Sequence, residues 1–328
     1  MDYRAWLDAA DDDAPPLVVT TSGSSGRPKR VVLSRRAVLA SVAATEARLG
    51  TRGRWVLRLP ETYVAGLMVV LRSLVAGHEP VGRDDPWPDG EGWLTSLVPT
   101  QLHRLLDEPD DVAALRRAHT VLLGGGPLDP ALRARAEAAG VHVVATYGAA
   151  ETCGGCVYDG VPLDGVRVAV DDDGRVRLGG PTLFEGYEGN PDLTASTLVD
   201  GWFVTADAGR LDADGRLHVL GRLDDVVVSG GVNVPGPAVA ARLREHPAVA
   251  AAEVLGVPDD EWGHRLVAFV VLRQAREPFL DLEAARDWVG EAHPRAWAPR
   301  QLVRLDAVPL LENGKPDRLA LRRLACAS

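Results

Sequence analysis

Lysine is almost missing from this chain. Of 36 basic residues only Lys29 and Lys315 are lysine, so the other 34 are arginine. Wherever a plain positive charge would serve, the chain carries Arg. Cysteine is as scarce, and three in 328 residues, an odd number, exclude a disulfide framework. Cys153 and Cys156 form a CGGC, the spacing of a redox pair or half a metal site. No second pair or Cys/His cluster accompanies them, and the plainer reading is two small residues lining a tight loop. No run approaches the ~18 to 20 apolar residues of a membrane-spanning helix, and the opening MDYRAWLDAADDDAPP is acidic without an apolar signal core. No membrane span and a cytoplasmic location are therefore expected. Positive charge is itself in deficit. A net charge of −10 and a pI near 5.3 leave no basic stripe to displace counterions from nucleic acid, so a negative substrate must meet a local positive site.

What is present is the material of a soluble globular protein, with 46% hydrophobic and 25% charged residues. The length fits one large domain and a smaller one. LVVT (17–20) reads as a strand, followed by a Ser/Gly loop and a helix, RRAVLASVAATEARL, capped by Ser34 and stopped at Gly50. The alternation repeats through WVLRL, WLTSLV, HTVLLGGG and VHVVATYG, which predicts parallel strands with crossover helices. From about residue 160 short alternating strands and Gly/Asp turns predict an antiparallel region, and after GRLDD a mixed pattern returns, with its last helix around LEAARDWVGEA. The expected fold is α/β and α+β. A large N-terminal domain, residues 1–222, would hold a mostly parallel α/β sheet and a small antiparallel β region, and a smaller mobile α+β domain, residues 223–328, would follow.

TTSGSSGRPK packs hydroxyls and glycines into a loop after a strand, where backbone N–H groups can close on an anion and Lys29 adds a compact charge. Its spacing is not GxxxxGK[ST], and LGGGP (123–127) is not GxGxxG. The stretch resembles the phosphate loop of the acyl-adenylate-forming enzymes, the superfamily of acyl-CoA synthetases, luciferases and peptide-synthetase adenylation domains. The rest of that family's motif series follows in order across almost the whole chain. By this resemblance Thr21, Ser22, Gly23, Ser24, Ser25, Gly26 and Lys29 would hold the phosphates of ATP. In TYGAAET, Tyr147 would stack on adenine, Gly148 would line the nucleotide, and Glu151 would hold the magnesium that bridges the phosphates. Magnesium accepts such a role, preferring one or two carboxylates plus phosphate oxygens to an all-protein cage. In GGGP, Gly125 and Gly126 either approach the nucleotide or form a plain strand-to-helix turn. WFVTADAG…GRLDD resembles the block in which Asp207 accepts the ribose hydroxyls, Arg222 reaches ribose or phosphate, and Asp224 is the hinge.

PLLENGKPDR resembles the terminal motif, in which Lys315 reaches the carboxylate oxygen and α-phosphate as they join; an incidental tail lysine is the alternative. Lysine's small charge on a mobile stem suits that task better than arginine's planar fork. Lys315, Glu151 and Lys29 are thus the expected catalytic residues.

The helix after LPETYVAGL should border the acid pocket, with Ala65, Gly66 and Arg72 as acid-binding candidates. Many relatives carry an aromatic or histidine pair where this chain has Glu61 and Thr62, and no aspartate in TYVAGLMVVLRS could hold an amino acid's ammonium. Arg72 suits a substrate with a second carboxylate, which it could clamp bidentately; pairing with a protein carboxylate or a helix end is the other reading. The spacing of Gly66 to Arg72 and the segment GGCVYDG resemble the 2-succinylbenzoate CoA ligases of menaquinone synthesis. In SGGVNVP, Ser229, Gly230 and Gly231 would line a tunnel for CoA, and PGPAVA replaces the family's Pro-x-Glu. The implied activity uses ATP, Mg2+ and CoA: a carboxylic acid is adenylated and passed to CoA, with 2-succinylbenzoate the preferred acid. Another aromatic or short-chain acid, a carrier-protein acceptor, and a nucleotide-binding module without catalysis are the alternatives. The expected partners are these small molecules, and a homo-oligomer is compatible with the chain.

Overall fold

Strand and helix alternate along the first half of the chain, and the strands gather into a six-stranded sheet. Its order is Trp55–Val56, Leu94–Leu97, Thr120–Leu123, Val143–Ala149, Gly154–Tyr158 and Val161–Pro162. The first four run parallel and the last two antiparallel. Leu94–Leu97 and Thr120–Leu123 are buried at every position, as expected of strands covered on both faces. The computed structural model describes residues 2–9, 14–21, 28–223, 226–273, 280–311 and 316–327, with the backbone alone at 233 and 327. Ser22, Gly23, Ser24, Ser25, Gly26, Asp224 and Lys315 lie outside the described residues.

The helices obey their local signals. Arg35–Leu49 begins where the Ser34 side chain accepts the Ala37 N–H at 3.4 Å and ends on Gly50 at φ 66°. Val64–Val75 is apolar nearly all round and is buried from Gly66 to Ser73. One expectation fails. The sequence puts LVVT at the head of the parallel sheet, but Leu17–Thr21 pairs antiparallel with Lys29–Leu33 in a separate three-stranded sheet completed by Gly186–Tyr187. The reason is a second strand, KRVVL, which alternates burial as the first does: Leu17 and Val19 face Val31 and Leu33 in the core.

The chain folds into two compact units. One comprises Met1–Asp171, Val176–Thr205 and Leu211–His218; the other comprises Asp172–Arg175, Ala206–Arg210 and Val219–Ser328. The antiparallel strands anticipated after residue 160 form a sheet ordered Leu198–Val199, Trp202–Leu211, Arg175–Gly179, Arg167–Val170, with Leu217–Arg222 beside Trp202–Leu211. In the second unit Val249–Asp259 and Gly263–Leu272 pair antiparallel and Gln301–Leu305 adds in parallel. The helices Gly236–Arg244 and Leu282–Ala292 contribute Val239, Leu243 and Val289 to its core. A helix the sequence reading does not anticipate, Arg318–Ala327, follows the last expected one. It places Leu321 and Ala325, one turn apart, against Leu255, Val267 and Phe269. Among the described residues no helix is long and apolar enough to cross a membrane.

Candidate active site

The parallel strands finish in register at one edge, where Leu97 lies beside Leu123 and Leu123 beside Ala145. Open α/β sheets bind ligands outside these carboxyl ends, so the segments leaving this edge are the first candidates. After Leu123 comes GGGP. A Cβ on Gly124 would meet Thr146 Oγ1 at 2.8 Å, Gly125 turns at φ 79°, and Gly126 has open space around it. The turn alone accounts for Gly125.

After Val143–Ala149 the chain makes a single 3-10 turn, Ala150–Thr152. The Thr152 hydroxyl builds that turn, accepting the Ala149 N–H at 2.9 Å and donating to the Gly154 carbonyl at 2.7 Å. Gly148 is required for the approach, because a Cβ there would stand 2.1 Å from the Gly154 oxygen. Tyr147 is half-buried against the large core and Gly148 is exposed. The turn directs Glu151 inward, leaving it 7% exposed. Its carbonyl accepts the Phe184 N–H, and its Oε1 accepts a 2.7 Å hydrogen bond from the hydroxyl of Tyr187. Oε2 has no partner among the described residues. Burial first, and then the neighbouring Glu151 carboxylate, push the Tyr187 phenol far above its ordinary range, so it remains a donor.

Lys29 comes to the same place from the other sheet. It pairs with Thr21 across the hairpin that brackets the Ser/Gly loop, and its Nζ lies 5.3 Å from the centre of the Tyr187 ring. Carboxylate, phenol and ammonium thus stand together. A carboxylate with one oxygen engaged and one free fits magnesium, which takes one or two such ligands and completes its shell with phosphate oxygens and water. Among the described residues no three His, Cys, Asp or Glu side chains gather into a metal cage, so the remaining ligands would come from the substrate and water. Cys153 and Cys156 supply none: both are buried, and burial raises each thiol to about 12.

Beside the Glu151 turn runs the Val64–Val75 helix. Gly66 lets the helix pack against the Leu59–Pro60 backbone that leads into it, since a Cβ would come within 2.2 Å of the Pro60 oxygen; Ala65 is exposed. Arg72, on the buried face, is 4% exposed. It has no hydrogen bond or ion pair through its side chain among the described residues, and its Nε is buried without a partner. The Trp55 ring lies 5.2 Å from the guanidinium carbon. The guanidinium is also near enough to Cys153, two residues beyond Glu151, to oppose the rise that burial causes in that thiol. Glu61 and Thr62 are exposed, and Glu61 faces Tyr3, whose phenol is raised by burial and then by this carboxylate.

In the second unit Asp207 and Arg222 form an ion pair at 3.5 Å, on the strands Trp202–Leu211 and Leu217–Arg222. Val226–Ser229 and Val232–Pro235 form a hairpin whose two-residue turn is Gly230 and Gly231, at φ 58° and 77°. Positive φ at both positions demands a primed turn, so the turn itself explains both glycines. A Cβ on Gly230 would also meet the Trp262 ring at 2.7 Å. The two glycines are exposed and Ser229 is buried.

Sequence reasoning misses Tyr187. GYEGN offers only an aromatic next to a turn, and nothing local says that its hydroxyl meets a residue 36 positions away.

Comparison with known proteins decides the family. A family model described as AMP-binding enzyme matches residues 4–188, and one described as AMP-binding enzyme C-terminal domain matches residues 238–315. The chain belongs to the AMP-binding enzyme family. It is 44% identical over 327 residues, 95% of this chain and 85% of the other, to a Mycobacterium tuberculosis protein named "Probable 2-succinylbenzoate–CoA ligase". Among solved structures this AMP-binding enzyme is similar to the o-succinylbenzoate CoA synthetase of Bacillus subtilis in complex with its acyl-adenylate intermediate. The match has a TM-score of 0.78 and 26% identity, and covers 93% of this chain and 68% of that one. The same Bacillus subtilis enzyme in complex with ATP and magnesium ion matches at a TM-score of 0.78 and 27% identity, covering 93% and 69%.

Proposed function

We propose that this AMP-binding enzyme is an AMP-forming acid:CoA ligase that converts 2-succinylbenzoate to 2-succinylbenzoyl-CoA in menaquinone biosynthesis. Family membership supports the adenylation chemistry, and the similarity to ligases named for this acid supports the substrate. The observation that carries the substrate class is Arg72. A buried guanidinium without a counter-ion is costly to keep in an apolar site, and a second carboxylate on the acid removes that cost while orienting the substrate.

In the first half-reaction the other carboxylate of the acid attacks the α-phosphorus of ATP. The new bond is carboxylate oxygen to phosphorus, and the bond that breaks joins the α-phosphorus to the pyrophosphate oxygen. No side chain acts as a nucleophile; positioning and charge neutralisation do the work. Thr21, Lys29 and the loop 22–26 hold the phosphates, Tyr147 and Gly148 border the adenine with Gly125 and Gly126, and Lys315 meets charge developing on the transferring group. Magnesium, held by Glu151, supplies neutralisation of the phosphate charge when bound. In the second half-reaction the CoA thiol, entering past the Gly230–Gly231 turn, displaces AMP from the acyl carbon. Asp207 receives the ribose hydroxyls with Arg222 beside it. We take the domains to be residues 1–222 and 223–328, with Asp224 as the hinge between the two steps, and place the enzyme in the cytoplasm, where ATP and CoA are supplied.

Mass spectrometry of the products formed with ATP, Mg2+, CoA and a panel of acids tests this. The expected product is 2-succinylbenzoyl-CoA with AMP and pyrophosphate, and benzoate should be inert. Thioester from other acids but not this one would overturn the substrate, and no adenylate or thioester from 2-succinylbenzoate would overturn the function.

A further inference from the structure

Tyr187 belongs to no motif named above, yet it touches both charged groups on the phosphate side of the site. It is 6% exposed, held by backbone pairing with Val31 and by its own N–H, which donates to Thr194 Oγ1 at 2.8 Å. The Phe184 ring meets its ring edge to face at 5.0 Å between centroids. Backbone and ring are therefore both fixed. From this rigid seat the hydroxyl reaches Glu151 Oε1 at 2.7 Å, and the ring lies 5.3 Å from Lys29 Nζ. The Thr197 side chain lies near enough to the phenol to oppose part of the rise that burial causes in it.

We propose that Tyr187 is a positioning residue that sets both charged groups of the nucleotide-phosphate site, orienting the Glu151 carboxylate through its hydroxyl and the Lys29 ammonium through its ring. This rests on the ligase reading of that site. The physical case has two parts. A carboxylate whose one oxygen accepts a fixed O–H is restrained in rotation about its terminal torsion, so its second oxygen faces one direction; groups that orient a metal ligand in this way typically change affinity or activity ~10- to 100-fold when removed. A cation facing an aromatic ring is attracted to it, and a ring in a desolvated seat holds a mobile lysine stem more firmly than an aliphatic side chain does. One side chain thereby ties the spacing of an anion and a cation that come from different sheets.

The test separates hydroxyl from ring. Tyr187→Phe removes the O–H and keeps the ring; Tyr187→Leu removes both. Binding of Mn2+ in the presence of a non-hydrolysable ATP analogue, followed by the electron paramagnetic resonance of the metal, reads the site without turnover. Adenylation kcat and the KM for the acid are measured beside it. Tyr187→Phe should raise the Mn2+ dissociation constant ~10-fold and lower kcat while leaving the KM for the acid unchanged. That loss should vanish in a Glu151→Gln background. Tyr187→Leu should in addition weaken binding of the analogue itself. Should Tyr187→Phe fail to fold, Thr197→Val, which removes a second hydroxyl close to the phenol, should shift Mn2+ binding in the same direction by a smaller factor. Native Mn2+ affinity in a folded Tyr187→Phe or Thr197→Val protein would overturn the role of Tyr187 alone. Failure of the native protein to bind Mn2+ with the analogue would overturn the ligase reading together with it.

Discussion

Replacing Arg72 with methionine should raise stability and weaken use of the preferred acid at once. The side chain is 4% exposed, its Nε is buried without a partner, and no carboxylate among the described residues answers its charge. Desolvating such an ion costs several kcal/mol, and replacing buried ionic groups by apolar ones of similar size has been neutral or stabilising by ~1 to 4 kcal/mol. The Trp55 ring at 5.2 Å returns part of the cost, ~0.5 to 2 kcal/mol. The ligand-free Arg72→Met protein should therefore be more stable by ~1 to 3 kcal/mol, a rise of a few degrees in Tm. Substrate binding should move the other way. Truncating one partner of a buried, hydrogen-bonded charge pair costs ~2 to 5 kcal/mol, or ~30- to several thousand-fold in kcat/KM for a dicarboxylic acid. Most of it should appear in KM, because the second carboxylate takes no part in the chemistry. Differential scanning calorimetry with and without 2-succinylbenzoate, and initial rates of pyrophosphate release, give both numbers. A less stable Arg72→Met protein with unchanged KM would refute the reasoning and return Arg72 to a structural role.

Three further outcomes are expected. Lys315→Ala should slow adenylation ~10²-fold or more, the scale for losing one well-aimed donor, while thioester formation from supplied acyl-adenylate stays near native in a single-turnover assay. Gly66→Ala puts a methyl group within 2.2 Å of the Pro60 oxygen and should destabilise the protein by ~1 to 3 kcal/mol in a urea titration, because backbone rather than a flexible side chain must yield. Burial raises the Cys153 and Cys156 thiols from 9.0 to about 12, so the unfolded chain releases these protons first. Their contribution is complete below pH 9.0 and is lost as pH rises towards about 12, and the urea midpoint should fall less over that interval in a Cys153→Ala, Cys156→Ala variant.

What the sequence made legible follows the range of the interactions. The helix Arg35–Leu49 could be bounded from Ser34 and Gly50 because both act within one turn of themselves. The parallel strands could be read because burial on both faces leaves a continuous uncharged run. LVVT carries the same local signal, and its place in another sheet depends on KRVVL lying opposite it and on Gly186–Tyr187 arriving from more than 150 positions later. The final helix was passed over for a related reason. RLALRRLACA spreads its leucines and alanines around three arginines, and which of them form the buried pair, Leu321 and Ala325, shows only against the sheet that covers it.

The site divides along the same line. Glu151 and Lys29 could be singled out because each stands in a stretch whose residue types serve one chemistry together. Tyr187 could not, since its role is a relation between two groups that reach it from different sheets. The scarcity of lysine then takes on a structural sense. In a chain whose basic residues, Lys315 apart, are otherwise arginine, Lys29 places a compact charge over a ring whose hydroxyl is already committed to Glu151. A planar guanidinium there would tend to stack on the ring and present its donors in a fixed fork, whereas an ammonium can face the ring with its centre of charge and still turn its hydrogens to a phosphate.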